Sequence, residues 1–196
     1  MSKSKFPAKR IAIDAIFIAV FFALSMFSVE IGGVKLTFTS LPAVICAMIY
    51  GPVDGFLVGF LGAFLEQMLR YGFTATTLLW VLPPAIRGLT IGLATVLFRK
   101  SLSLDSVLSG GRKLIPYFAV CLTAAVITSL GNTIVYYIDA KMYGYYTYEL
   151  IFGVAGIRVV TNLISSALTA IVALPVLAAL RKAKLIQSRT PAVSTH

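Results

Sequence analysis

The sequence predicts an all-α integral membrane protein: one membrane domain over residues 1–196, with six transmembrane helices, both termini cytoplasmic, and the second and fourth spans short or interrupted. Three observations carry this expectation. Hydrophobic residues make up 59% of the chain and charged residues 12%, far below the roughly one quarter charged in soluble domains. Apolar runs recur along nearly the whole length and none ends in a small-residue cleavage pattern, so they do not read as one signal peptide ahead of a soluble domain. The basic residues gather where cytoplasmic flanks belong. Lys3, Lys5, Lys9 and Arg10 precede the first run, Arg99, Lys100, Arg112 and Lys113 border a central polar linker, and Arg181, Lys182, Lys184 and Arg189 follow the last run. The net charge of +10 is therefore placed for a membrane surface rather than for nucleic acid.

A spanning helix needs about 20 apolar residues at about 1.5 Å each. The first candidate, residues 11–27, is entered from the basic tail 1–10. The second, 41–50, is led by Pro42 and is too short to cross unaided; it suits a tilted or interrupted helix buried against protein. The third, 52–68, starts after the turn Gly51-Pro52. The fourth lies within 77–98, where Pro83 and Pro84 predict a break: a re-entrant piece TTLLWVL, then a helix starting near Pro83. The fifth covers 114–138 and the sixth 148–180. Residues 101–111, SLSLDSVLSGG, read as a flexible cytoplasmic linker, and 183–196 as a cytoplasmic tail. Three outward connections follow: 29–40, 69–76 and 139–147, each poor in unbalanced positive charge.

Several chemistries are disfavoured. The two cysteines, Cys46 and Cys121, lie far apart in apolar segments and read as small buried hydrophobes, not a disulfide or a metal site. The single histidine is terminal, and no P-loop, nucleophile elbow or paired carboxylate is present. No catalytic residue, metal or cofactor is expected.

Small residues mark the packing surfaces. Ala15, Ala19 and Ala23 form a stripe at spacing four, suited either to packing inside the bundle or to docking a partner helix. Gly55, Gly59 and Gly62 predict a close-packing groove on the third helix, and Asp54 favours that helix's start.

Ionisable groups at membrane depth are the sharper signal, because they are costly there and face a cavity or a partner. Arg87, placed in the first turn of a helix starting at Pro83, suits an anion held between its fork and the helix end, or else an ion pair with Glu66. Glu66 and Arg70 are spaced for a local pair, and Arg158 suits a carbonyl or Glu66. Asn132 and Asn162 add amides. Aromatics crowd the outward connections: Phe38; Tyr71 and Phe73; then Tyr143, Tyr145, Tyr146 and Tyr148 of MYGYYTYE. They suit an interfacial belt or a lid over a pocket, with Trp80, the only tryptophan, between them and Arg87.

Six short spans, the basic tail leading into the alanine stripe, the segment LPAVICAMIYGPVDGFLVGFLG and an arginine-bearing fourth helix resemble the substrate-binding S-components of energy-coupling factor (ECF) vitamin transporters, over residues 8–182. The resemblance implies a bacterial plasma-membrane protein that binds a water-soluble vitamin. It also implies docking through Ala15, Ala19 and Ala23 on a transmembrane coupling subunit powered by two cytoplasmic ATPases. The chain looks closest to the folate and pantothenate branch. Tyr71-Gly72-Phe73-Thr74 partly matches the Pro-Gly-Phe-Thr stretch of folate members, whereas the single strong arginine with asparagines favours pantothenate. The expected binding residues are Arg87, Trp80, Asn132, Tyr71, Phe73, Thr76, Phe38, Tyr143, Asn162 and Arg158. An ion-driven secondary transporter and a membrane enzyme are the competing classes.

Overall fold

The structure, a computed structural model, describes residues 8–183 apart from residues 28, 32, 33 and 154. The rest of the basic tail and of the C-terminal tail lie outside the described residues. The order is α1 (Ala8–Met26), a hairpin of β1 (Val29–Ile31) and β2 (Val34–Leu36), α2 (Ser40–Tyr50), α3 (Pro52–Tyr71), α4 (Thr77–Leu97), α5 (Leu104–Leu108), a 3-10 turn (Gly111–Lys113), α6 (Leu114–Tyr143), a π turn (Glu149–Gly153) and α7 (Ala155–Lys182). Among the described residues, four stretches are long and apolar enough to cross a membrane: Pro52–Tyr71, Thr77–Leu97, Gly111–Tyr143 and Glu149–Lys182, with Ser40–Tyr50 a shorter apolar helix. The antiparallel hairpin, with Val29 opposite Leu36, adds a small β element to the helices among the described residues.

Burial explains why the 11 residues of α2 suffice. Residues 42–48 are all buried, because α2 is ringed by α3, α4, α7 and α1. Its Val44 and Met48 join Ile91 of α4, Tyr117 and Cys121 of α6, and Ala173 and Leu177 of α7 in one core. Tyr117 donates to the Ala170 carbonyl at 2.9 Å and Ser166 to the Cys121 carbonyl at 3.0 Å, which ties α6 to α7. Both cysteines are buried and unbridged, as expected, and the Cys46 thiol donates to Asp14 at 3.3 Å.

Two expectations are corrected. The first concerns the proline pair, which does not break the fourth span: α4 runs unbroken through Pro83 and Pro84 as a 21-residue helix. A proline in a helix interior costs about 3 kcal/mol, and packing supplies the compensation. Gly59 lets α3 lie directly on the Pro84 carbonyl, where a Cβ would come within 2.6 Å. Gly131 of α6 faces the Pro83 ring. The groove predicted for Gly55 and Gly59 is thus the α3–α4 seam, completed by Gly88 and Gly92, whose Cβ positions would meet the Gly55 and Pro52 backbones.

The second correction concerns residues 101–111, which are an ordered corner rather than a flexible linker. The Ser103 hydroxyl caps α5 by accepting from the Ser106 N–H at 3.1 Å. Leu102 and Val107 are buried in the core, and Arg181 ion-pairs with Asp105. Asp54, in the first turn of α3, is fully buried and paired with Arg10, which also donates to the Tyr50 carbonyl at 3.2 Å.

Candidate functional site

A polar chamber of about 640 Å3 opens between α1, α2, α3, α4, α6 and α7. Three stripes at helical spacing build it: Thr76, Trp80, Pro84 and Arg87 on and just before α4; Ser129, Asn132, Tyr136, Asp139 and Tyr143 on α6; Arg158, Asn162 and Ser165 on α7. Steps of three and four keep each set on one helix face. Phe21 of α1 and Glu66 of α3 complete the wall.

Arg87 lies ten residues into α4, about 15 Å from its start. It is therefore mid-helix, and the expected placement in a first turn beside free N–H groups does not hold, because the helix is continuous. The side chain is nonetheless 6% exposed and its Nε has no hydrogen-bond partner among the described residues. Glu66 is not its counter-ion: Glu66 pairs with Arg70 of its own helix at 3.6 Å. Around the same depth, Asn162 donates to the Ser129 hydroxyl at 2.8 Å, and Thr128 and Ser129 line the floor.

The opposite end is organised by Asp139, which sequence reasoning left in a connecting loop. The helix α6 continues to Tyr143, so Asp139 is buried within it. Its carboxylate accepts from the Thr76 hydroxyl, from Trp80 Nε1 at 3.3 Å and from the Tyr145 hydroxyl. The rings follow: Tyr136 stands edge-on to both Trp80 and Tyr145, at 6.0 and 6.1 Å. Arg158 lies over the Tyr136 ring at 4.1 Å and donates to the Leu150 carbonyl at 3.3 Å, which is the carbonyl alternative expected for it. Burial, and then the bond to Asp139, raises the Tyr145 phenol above its ordinary pKa.

Of the ten expected binding residues, Arg87, Trp80, Asn132, Tyr71, Thr76, Tyr143, Asn162 and Arg158 line this chamber. Phe38 and Phe73 do not; both are exposed, Phe73 by 70%. The tyrosine-rich connection divides. Tyr143 lines the chamber and Tyr145 reaches Asp139, whereas Tyr146 turns to Tyr137 and Lys141, and Tyr148 to Phe152. Ala15, Ala19 and Ala23 are all exposed. Among the described residues, no group of acids, cysteines and histidines has a metal-binding arrangement.

An apolar helical bundle around a polar chamber fits a polytopic membrane protein with room for a small polar molecule. A family model described as "ECF-type riboflavin transporter, S component" matches residues 5–182, and the chain belongs to that family. It is accordingly a multi-pass cell-membrane protein of a transporter S-component family. A solved structure titled "Structure and mechanism of the S component of a bacterial ECF transporter" shares the fold, with a TM-score of 0.50 at 17% identity over 91% of this chain and 96% of that one. UPF0397 proteins of Lactobacillus gasseri and Lactobacillus johnsonii are 38% and 37% identical over 95 residues. That stretch is 46% of this chain and 48% of each relative, so the match spans about half the length of these relatives.

Proposed function

We propose that this chain binds a small water-soluble vitamin for an ATP-driven importer, and that Arg87 grips a carboxylate of that ligand. One observation carries the reading: a buried guanidinium with an unpartnered Nε, in no ion pair among the described residues, on the floor of a polar chamber. A lone cation at that depth is costly until an anion joins it. Pantothenate is the favoured ligand. It offers one carboxylate to Arg87, and its amide and hydroxyls suit Asn132, Asn162 and Ser129; Trp80, Tyr71, Tyr143, Thr76 and Arg158 enclose it. Folate, with more carboxylates and a flat ring, is the alternative within the same branch.

A second reading is riboflavin, which the matching family's description names. The ring group of Trp80, Tyr136 and Tyr145 supports it by offering edges and faces to a flat heterocycle. Riboflavin has no ionised group for Arg87, which is why it ranks second. In either case six crossings with both termini cytoplasmic suit the charge distribution. The exposed stripe Ala15, Ala19 and Ala23 suits docking on a transmembrane coupling subunit with two cytoplasmic ATPases. Calorimetric titration of the purified protein with pantothenate, folate and riboflavin tests the ligand; tight riboflavin binding without pantothenate binding sinks the carboxylate reading. Liposomes holding this protein alone should show no vitamin flux driven by a proton or sodium gradient, and such flux would establish a secondary transporter instead.

A further inference from the structure

At the end of the bundle remote from the chamber, a second cavity of about 390 Å3 opens between the C-terminal half of α4 and the first turns of α6. The two helices are close where Gly131 faces Pro83, and the cleft lies further along them. Thr90, Ala94 and Phe98 form one wall, Pro116, Ala119 and Thr123 the other. Both threonine hydroxyls are spent on their own helices, Thr90 on the Ile86 carbonyl at 2.8 Å and Thr123 on the Ala119 carbonyl at 2.9 Å. The cleft therefore presents hydrocarbon along about 12 Å of helix. Leu97 and Ile115, next to the walls in the chain, are both exposed.

The lip of this cleft is basic. Lys100 is exposed beside the wall residues Ser101 and Leu102, and Arg112 and Lys113 are exposed four and three residues before Pro116. The acid of the intervening corner, Asp105, is already held by Arg181, so it does not neutralise them. A hydrocarbon slot with a positive mouth matches a molecule that is apolar along its length and anionic at its head. We propose that this cleft is a lipid site, occupied by an acyl chain of an anionic phospholipid whose phosphate meets Lys100, Arg112 and Lys113. The lipid would wedge α4 against α6 below the chamber, on the helices that carry Arg87 and Asp139.

The test uses the full chain in nanodiscs of equal parts phosphatidylglycerol and phosphatidylcholine, followed by mild extraction and native mass spectrometry of retained lipid. The parent should retain phosphatidylglycerol with a preference of at least about tenfold. Lys100→Gln/Arg112→Gln/Lys113→Gln should abolish that preference, and Ala119→Trp, which fills the slot, should abolish retention. The triple variant changes only exposed side chains, so it decides the matter even if the tryptophan variant fails to fold. Equal retention of the two lipids by the parent overturns the site. So does release of the lipid by inorganic phosphate alone, which marks a phosphate site without an acyl chain, and so does parent-like retention in both variants. If the variants keep their lipid but lose assembly with a coupling subunit, the cleft is a protein interface and the lipid assignment fails.

Discussion

Arg87 and Asp139 set the chamber's two poles, and each predicts a different loss. Arg87→Ala should weaken ligand binding by about 1.5–3 kcal/mol, the range of a hydrogen bond to a charged group, measured by titration calorimetry. Arg87→Lys should recover only part, because an ammonium cannot reproduce the two-pronged grip. Unchanged affinity in both variants would return Arg87 to a purely structural role. Asp139→Asn replaces an acceptor of three donors, so the single tryptophan, Trp80, should change its emission even without ligand. Thermal stability should fall by about 1–3 kcal/mol. Because the folded-state pKa of Tyr145 is raised, its bond to Asp139 contributes fully below the ordinary phenol value of about 10 and is lost as the pH rises beyond it. A Tyr145→Phe variant should thus be less stable than the parent at neutral pH, with the gap narrowing only in strong alkali. Arg87 was legible in the sequence because a guanidinium in an apolar run has few reasons to be there. Asp139 was not, since an acid close to a glycine and several tyrosines reads as loop until the spacing of Ser129, Asn132, Tyr136, Asp139 and Tyr143 is followed across the apparent helix end.

Among the elements, the α3–α4 seam is the least tolerant of change. Backbone meets backbone at Gly55, Gly59, Gly88 and Gly92. Gly88→Val should therefore cost the upper end of the roughly 1–3 kcal/mol typical of overpacking, read as a fall in melting temperature in detergent. A parent-like melting temperature would show that the helices can part at no expense. The glycine spacing on α3 was readable from the sequence, but its partner was not, because Pro83 and Pro84 pointed to a break. Local proline chemistry predicts the loss of two helix hydrogen bonds; it does not predict a glycine on the neighbouring helix that lets packing outweigh that loss. The corner at 101–111 misled for a related reason: serines and glycines read as a linker, while two buried side chains, Leu102 and Val107, fix it.

At the scale of the whole molecule, the proposed docking would give the two faces of α1 separate duties. Ala15→Trp with Ala19→Trp should leave ligand affinity unchanged yet, if the proposed docking holds, abolish ATP-dependent uptake when the chain is expressed with a coupling subunit and ATPases; normal uptake would dismiss the stripe as a docking face. The opposite face of the same helix presents Phe21, 2% exposed, to the chamber and to Ala63 and Val81. In the proposed reading only one helix diameter, about 10 Å, would therefore separate a docked partner from the bound ligand. No relay of residues is needed to carry news between them, since a tilt of α1 imposed from outside reshapes the container directly. If such a partner changes ligand affinity, reciprocity requires a filled and an empty chamber to grip it differently by the same factor, so occupancy would be announced through a shared wall.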